Sequence, residues 1–338
     1  MGNSVCLDGK APTGAPRRIH ARENSPRPND PNFLTSTACL VMVPPMLNTL
    51  NRLSLSVAAL LFAIGFIANA QQAPAGPPTE LHKIKEGVYE IANIDANLDA
   101  IRKYGGNVLV YPTNDGVILV DSKFEPMHDD IMAKVKSLTD KPVKYVILTH
   151  NHADHSGGAA KMSAMGATVI ISADDLENMA RAPNHAWLPE VGYSGRAQLH
   201  LGGKEVQLYE VRGHTKGDTL VYLPVERVVE SGDLFATVEE LPYIVDYSSG
   251  GGWMDLSNEI DELLKLDFDL VVPGHGPPVT RQDVVKIRNR VVAIRERFRA
   301  LNREKKTQEE IGQTLMKEFG WGKEPAPGNI PGMMQELR

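Results

Sequence analysis

The sequence predicts a layered α/β protein, and three observations support this class. Short apolar segments rich in β-branched residues alternate along the chain with segments whose apolar residues recur at helical spacing. Several predicted strands are followed directly by His or Asp. In α/β proteins, ligands bind at the edge formed by the carboxyl ends of the strands, so residues in these positions are suited to a site there. The 338 residues are 42% hydrophobic, which is ample for the core of one large domain or of two small ones.

The amino end predicts an export signal. Residues 46–70 combine an early basic residue, a short apolar run over 53–67 and an A-x-A cleavage pattern over 68–70. The alternative is a retained membrane anchor, but the run is short for a helix that spans a bilayer, and we favour cleavage. We therefore expect a periplasmic or secreted protein with no stable membrane insertion after the signal is removed.

The segments on either side of the signal lack periodicity. Residues 1–45 are rich in Pro, Asn, Arg and Ser, and two interpretations stay open: upstream sequence included through a mis-assigned start, or a disordered extension. Residues 71–80 predict a flexible linker. Periodicity begins near Leu81, and we divide the remainder into a main domain over 81–280 and a helical extension over 281–338.

Composition after residue 70 narrows the classes of function. Both cysteines, Cys6 and Cys39, lie before the cleavage site, so the mature chain has no disulfide and no thiolate ligand or nucleophile. Residues 1–70 carry six of the 36 Lys and Arg and three of the 42 Asp and Glu, which leaves 30 basic and 39 acidic residues and a net charge of −9. An acidic exported chain is a poor candidate for binding nucleic acid.

The first predicted elements of the main domain are strands. Residues 107–111 and 116–120 are apolar runs separated by an Asn-Asp-Gly turn, which predicts a β-hairpin. Further strands are predicted over 87–91, 143–148, 168–171, 205–211, 219–223, 227–229 and 270–272.

Helical spacing predicts the remaining elements. Segments 181–203 and 236–252 have no clear period and are interpreted as irregular. In the tail, Thr280 with Asp283 and Thr307 with Glu310 each predict the start of a helix with an apolar stripe. The earlier helices are predicted over 126–138, 156–165, from Ser172 onward and over 253–265.

The block T-H-N-H-A-D-H-S-G-G over 149–158 places three imidazoles and one carboxylate within six residues, directly after a predicted strand. Imidazole and carboxylate are ligands that zinc prefers. A His-rich polar turn without metal is the alternative, but other strand ends supply matching ligands. The block therefore predicts a metal site.

Those other strand ends complete two sets of ligands. His150 and His152 with His214 would bind one metal, and Asp154, His155 and His275 would bind a second. Asp233 has two oxygens and would bridge both ions. A two-metal site holds a shared hydroxide of lowered pKa and polarises a carbonyl, so the pattern predicts hydrolysis. The predicted cofactor is two Zn²⁺ per chain, with iron or manganese possible, and Asp154 would also act in catalysis by helping to orient the water.

The ordered set of these segments resembles the metallo-β-lactamase superfamily from about Leu81 to Val279. It comprises Asp121, the 149–158 block, G-H-T-K-G-D around His214, S-G-D-L-F around Asp233 and P-G-H-G around His275. The resemblance implies a four-layer αβ/βα sandwich over 81–280 with the metal site at one edge. It also implies the ligand roles given above and a supporting role for Asp121 behind the ligands.

One residue separates this chain from several true β-lactamases of the superfamily. Where those enzymes carry Cys or a residue that does not bind metal, this chain has Asp233, as in glyoxalase II-like thioesterases and lactonases. We therefore expect a hydrolase that acts on an ester, thioester, lactone or amide bond of a small-molecule substrate. Two alternatives are the hydrolysis of β-lactam antibiotics and a non-hydrolytic role as a metal-binding partner in a periplasmic oxidation pathway.

Overall fold

The computed structural model describes residues 78–182, 186–238, 245–320 and 326–338, without the side chains of 326–328. The predicted signal segment, the extension before it and most of the linker lie outside the described residues. The linker prediction is wrong at its end, because Thr79 and Glu80 already belong to the first strand. Within the described ranges, no helix is long and apolar enough to cross a membrane.

The amino-terminal half forms a seven-stranded sheet whose strands neighbour one another in chain order. The first four strands form an antiparallel meander, which includes the predicted hairpin, and the last four are parallel. Its strands are β1 (Thr79–Lys85), β2 (Val88–Asn93), β3 (Val108–Pro112), β4 (Val117–Val120), β5 (Val143–Ile147), β6 (Thr168–Ser172) and β7 (Val191–Tyr193).

The carboxyl-terminal half forms a six-stranded sheet in the order β13-β12-β11-β10-β9-β8. All of its neighbouring strands are antiparallel except β11 and β12, which are parallel. Its strands are β8 (Arg196–Leu201), β9 (Lys204–Val211), β10 (Asp218–Leu223), β11 (Val228–Glu230), β12 (Leu270–Val272) and β13 (Val279–Thr280).

Helices occupy most of the connections and the carboxyl-terminal tail. Two short 3₁₀ turns matter for the site, Gly232–Leu234 and Tyr247–Ser249, and a third, Glu125–Met127, leads into the second helix. The α-helices are α1 (Leu98–Tyr104), α2 (His128–Leu138), α3 (Ala153–Ser156), α4 (Ala159–Ala164), α5 (Ala173–Arg181), α6 (Leu256–Leu264), α7 (Arg281–Arg303), α8 (Gln308–Phe319) and α9 (Ala326–Glu336).

The two sheets pack face to face, with helices on their outer faces. Tyr111 and Val120 of the first sheet share a buried cluster with Leu208 and Val272 of the second. A separate cluster joins the outer face of the first sheet to α2 and α4, and another joins the second sheet to α6 and α7. This arrangement confirms the predicted four-layer αβ/βα sandwich.

The tail helices pack on the second sheet. Thr280 and Thr307 each form the predicted capping box, and the apolar stripe of α7 enters the cluster that contains β11, β12 and α6. Residues of α8 and α9 belong to the same cluster. The helical extension therefore shares a hydrophobic core with the main domain.

The interpretation of 181–203 as irregular is wrong for part of its length, because β7 and β8 lie within it. In β8, exposed polar residues at 196, 198 and 200 alternate with half-buried Ala197, Leu199 and Leu201, which pack on the core. Strict alternation of this kind is typical of a half-buried strand, so the signal was present in the sequence and the interpretation missed it.

Candidate metal centre

Strand ends from both sheets bring the seven predicted ligands to one edge of the sandwich. The residues from His150 to His155 follow β5 and enter α3, and His214 follows β9. Asp233 lies in the 3₁₀ turn after β11, and His275 follows β12. The structure groups all seven as two sets of side chains, each with its potential ligand atoms within 4.8 Å of one another.

The first set consists of His150, His152 and His214. The Nδ1 atom of His152 lies 2.9 Å from Nε2 of His214. The ring centroid of His150 is 4.8 Å from each of the other two rings, which meet it edge-on. Three imidazoles therefore surround one small volume.

The second set consists of Asp154, His155, Asp233 and His275. The Nε2 atoms of the two histidines are 3.2 Å apart, and Oδ2 of Asp154 lies 3.2 Å from Nε2 of His275. Asp233 lies between the two sets. Its Oδ1 is 3.3 Å from Nε2 of His155, and its Oδ2 is 3.3 Å from Nε2 of His275 and 3.8 Å from Nε2 of His214. Oδ2 of Asp233 therefore lies within 3.8 Å of a histidine nitrogen from each set.

Asp121, which follows β4, fixes the ring of His155 from behind. Its Oδ2 accepts hydrogen bonds from His155 Nδ1 at 2.7 Å and from the hydroxyl of Thr149, and its Oδ1 accepts one from the backbone N–H of Thr149. The side chain of Asp121 is fully buried. Because Nδ1 of His155 carries the proton, its Nε2 is the atom that faces the site. Asp121 therefore lies where the resemblance implied.

Thr149 orients a second ring, a role that the sequence did not reveal. Its hydroxyl donates to Asp121, so it accepts at 3.1 Å from Nδ1–H of His150. That leaves Nε2 of His150 as an unprotonated, buried nitrogen with no hydrogen-bond partner among the described residues. A buried acceptor without a partner costs free energy unless a cation satisfies it, so the donor set fits a metal ion.

Burial and charge set the protonation of the site. Burial, together with the neighbouring imidazole of His155, holds the pKa of His150 well below its ordinary value. Burial alone would raise the pKa of Asp233, but His275 and His155 outweigh it and hold the pKa well below the usual range. In the same way, His155 overcomes the effect of burial on Asp154, whose pKa is lowered to about 2. The carboxylates are thus ionised and His150 is neutral, as metal ligands must be.

Two glycines allow this close packing. A Cβ atom on Gly106 would lie 2.2 Å from Cε1 of His155, and one on Gly274 would lie 2.1 Å from Oδ1 of Asp233. Real Cβ contacts are not this short, so any side chain at either position would displace a predicted ligand.

Asp246 is a further member of the site that the sequence did not reveal. Its Oδ2 accepts a hydrogen bond from Nε2 of His152 at 2.9 Å, which leaves Nδ1 of that ring facing His214. The hydrogen bond from His152 holds the pKa of Asp246 well below its usual range. Asp246 lies in a polar, glycine-rich segment without periodicity. Its Oδ1 accepts bonds from the N–H and hydroxyl of Ser248, and its backbone N–H donates to the carbonyl of His214.

We expect Asp246→Ala to weaken zinc binding by roughly 10- to 100-fold, the usual cost of losing a carboxylate that orients a histidine ligand. Competition with a chromogenic zinc chelator measures this change. Asp246→Asn, which keeps an acceptor, should recover part of the loss, and Asp129→Ala on the exposed face of α2 should change nothing. Equal affinity in Asp246→Ala and wild type would contradict this role.

Comparisons with known proteins agree with the fold. The sequence profile described as the metallo-beta-lactamase superfamily matches residues 101–275. A metallo-beta-lactamase type 2 from Bacillus sp. (strain 170) is 28% identical over 245 residues, covering 68% of this chain and 93% of that protein. A hydroxyacylglutathione hydrolase from Anaeromyxobacter dehalogenans (strain 2CP-C) is 34% identical over 79 residues, 23% of this chain and 28% of that one. The solved metallo-beta-lactamase from Pontibacter korlensis has a TM-score of 0.55 at 21% identity, covering 63% of this chain and 98% of that chain.

Proposed function

The chain belongs to the metallo-beta-lactamase superfamily of metal-dependent hydrolases, and from this premise we propose an exported dinuclear zinc enzyme that cleaves an ester, thioester, lactone or amide bond. The observation that carries the proposal is the position of Asp233, whose two oxygens each approach nitrogens of the surrounding histidines. Seven donors in two sets joined by one carboxylate match the needs of two metal ions better than those of one.

Zinc is the proposed metal because the donors are only imidazole nitrogens and carboxylate oxygens. His150, His152 and His214 would hold one ion, and Asp154, His155 and His275 the other, with Asp233 shared. When bound, the two ions supply a nucleophilic hydroxide near neutral pH and polarise the scissile carbonyl.

The exposure of the ligand side chains shows which side of the site faces solvent. His150 and His155 are fully buried, whereas the side chains of Asp154 and His152 are 21% and 29% exposed. The site is therefore open to solvent at these two side chains. Asp154 is ionised and lies on this side, so it is placed to accept a hydrogen bond from the attacking water and to orient it.

Zinc binding should release protons, and affinity should rise with pH. Burial lowers the pKa of His155, but the carboxylates of Asp233 and Asp154 outweigh it and raise the pKa well above the ordinary value, so this ring is protonated at neutral pH without metal. Binding of a metal ion at Nε2 therefore requires the loss of the proton on that nitrogen. Calorimetric titrations at pH 6.5 in buffers of different ionisation enthalpy should show release of at least about one proton per chain. The number released should fall at higher pH, and binding heats that do not depend on the buffer would contradict the prediction.

A hydrolase panel tests the proposed function. Zinc-loaded protein would be assayed against lactones, thioesters, aryl esters, phosphodiesters and β-lactams, with protein stripped by a chelator as the control. We expect turnover in at least one carbonyl class that disappears on stripping and returns with zinc. No zinc-dependent turnover of any ester, thioester, lactone or amide would remove the proposal.

β-Lactam hydrolysis is the second candidate, favoured by the similarity to the Bacillus metallo-beta-lactamase over most of that protein's length. Hydrolysis of a chromogenic cephalosporin well above the stripped control would support it, and no turnover of penicillins and carbapenems would exclude it. Asp233 in place of a cysteine keeps the broader hydrolase as the first proposal.

Export and partners complete the proposal. The signal pattern over 46–70 supports a periplasmic or secreted location without stable membrane insertion, and the acidic charge after residue 70 argues against nucleic acid as a partner. The partner is then a small-molecule substrate.

Peptide sequencing of the amino end of the protein recovered from the periplasm should give Gln71 as the first residue, and recovery of the uncleaved chain in membranes would overturn the proposed cleavage and location. Iron rather than zinc in the purified protein would instead favour the oxidation-pathway role.

A further inference from the structure

A cavity of about 300 Å³ lies beside the metal centre and includes His275 in its wall. Most of the wall is apolar, with contributions from Ile84, Ala92, Ile101 and Val238. Such a volume corresponds to roughly ten water molecules at about 30 Å³ each and lies at the lower end of the range for small-molecule sites. The cavity therefore fits a compact aliphatic group.

One acid in this wall is buried with its hydrogen-bonding capacity only partly used. Glu90 lies on β2 and is only 2% exposed, and its Oε1 has no hydrogen-bond partner among the described residues. Burying a carboxyl oxygen without a partner costs free energy, and folded proteins pair most such groups. An unpaired acceptor in the wall of a cavity next to the metal centre indicates a place for a hydrogen-bond donor on a ligand.

The charge beside Glu90 favours a neutral donor. Lys123 is completely buried and interacts electrostatically with Glu90, and its ammonium group donates to Oδ1 of Asn93 at 2.8 Å and to the carbonyl of Gly106 at 2.5 Å. An ammonium group on a ligand would add a second buried cation near Lys123. A hydroxyl group supplies the donor without adding charge.

We propose that this cavity binds the part of the substrate next to the scissile bond, and that Glu90 selects a hydroxylated aliphatic group of up to about ten non-hydrogen atoms. The proposal rests on the proposed hydrolase function and narrows its substrate class to esters, thioesters or lactones of hydroxylated aliphatic acids. Glu90 would act as a specificity-determining residue, since it accepts a hydrogen bond from the ligand and does not approach the reacting carbonyl.

The test compares two unreactive isomers, hexan-1-ol and 1-methoxypentane, which contain the same atoms but differ in whether they carry a donor. Ligand-observed NMR titrations on the zinc-loaded protein give their relative affinities. We expect hexan-1-ol to bind about fivefold more tightly, the value of one net hydrogen bond. Equal binding of the two isomers to wild type would overturn the proposal without any variant.

Variants then test whether Glu90 causes the preference for hexan-1-ol. Glu90→Leu should bring the ratio close to one, and Ala92→Phe should weaken both ligands by filling the cavity. Glu80 is the control, because it is an exposed glutamate of β1 and is not part of the cavity wall that the described residues form. Glu80→Gln should keep the wild-type ratio. A preference that survives in Glu90→Leu, as it would if the metal ions bound the hydroxyl, would overturn the proposal.

The binding experiment is independent of hydrolysis. If the preference is found and the panel shows turnover, hydroxylated acyl substrates should exceed their methoxy isomers in kcat/KM by a similar factor. If the preference is found but no carbonyl substrate is hydrolysed, the proposed function fails while the ligand site at Glu90 stands. If turnover is found without the preference, the function stands and the assignment of Glu90 fails.

Discussion

Replacing His152 by alanine should abolish zinc-dependent hydrolysis, with a loss of more than about 100-fold, because even an outer partner of a metal ligand can cost that much. The ring of His152 supplies Nδ1 to the first set of ligands and lies on the exposed side of the site. Its loss should remove one ion or loosen its position. The measurement is kcat/KM on the best substrate of the hydrolase panel, together with the zinc content of the same sample.

The matched control is His200→Ala, which removes an exposed histidine from β8. This variant should keep both wild-type activity and wild-type zinc content. A His152→Ala protein as active as wild type would contradict the assigned role of this ring, and so would an inactive one that retained both ions with unchanged affinity.

Replacing Phe298 by alanine should lower the free energy of unfolding by about 3–5 kcal/mol, the usual cost of removing a buried aromatic ring. Phe298 lies on α7 and is fully buried, in the cluster that joins β11, β12 and α6 to the tail helices. If the tail shares the core of the sandwich, the cavity left by the ring destabilises the whole domain. Urea denaturation of the metal-free protein, followed by circular dichroism, measures the change.

Val285→Ala is the control on the same helix, because Val285 is 40% exposed. Truncation there should change stability by no more than about 0.5 kcal/mol. A loss below about 1 kcal/mol in Phe298→Ala would mean that α7 packs weakly on the second sheet.

The sequence predicted the elements whose hydrophobic period is strong. The hairpin of β3 and β4 carried both an apolar pattern and an Asn-Asp-Gly turn, and the capping boxes at Thr280 and Thr307 marked the starts of α7 and α8. The site could be located because its residues directly follow strands, so that each ligand had a fixed place at a common edge. These signals are local, and they do not depend on how the two sheets pack.

What the sequence could not predict depends on tertiary packing. Helix α1 has only seven residues, too few for its period to stand out. Asp246 reaches His152 from a segment without periodicity, so only the fold brings the two together. Glu90 lies in the predicted strand over 87–91, but the sequence does not show that its carboxyl is buried, because β2 is buried on both faces there.

The most direct test of the two-metal site is the metal content of the purified protein, measured by inductively coupled plasma mass spectrometry and expressed per chain. Wild type should contain two zinc ions per chain, as the two sets of ligands require. Asp233→Ala should hold fewer ions, because it removes the carboxylate placed between the two sets. A wild-type protein that binds one ion at saturating zinc, or none, would contradict the proposed two-metal centre.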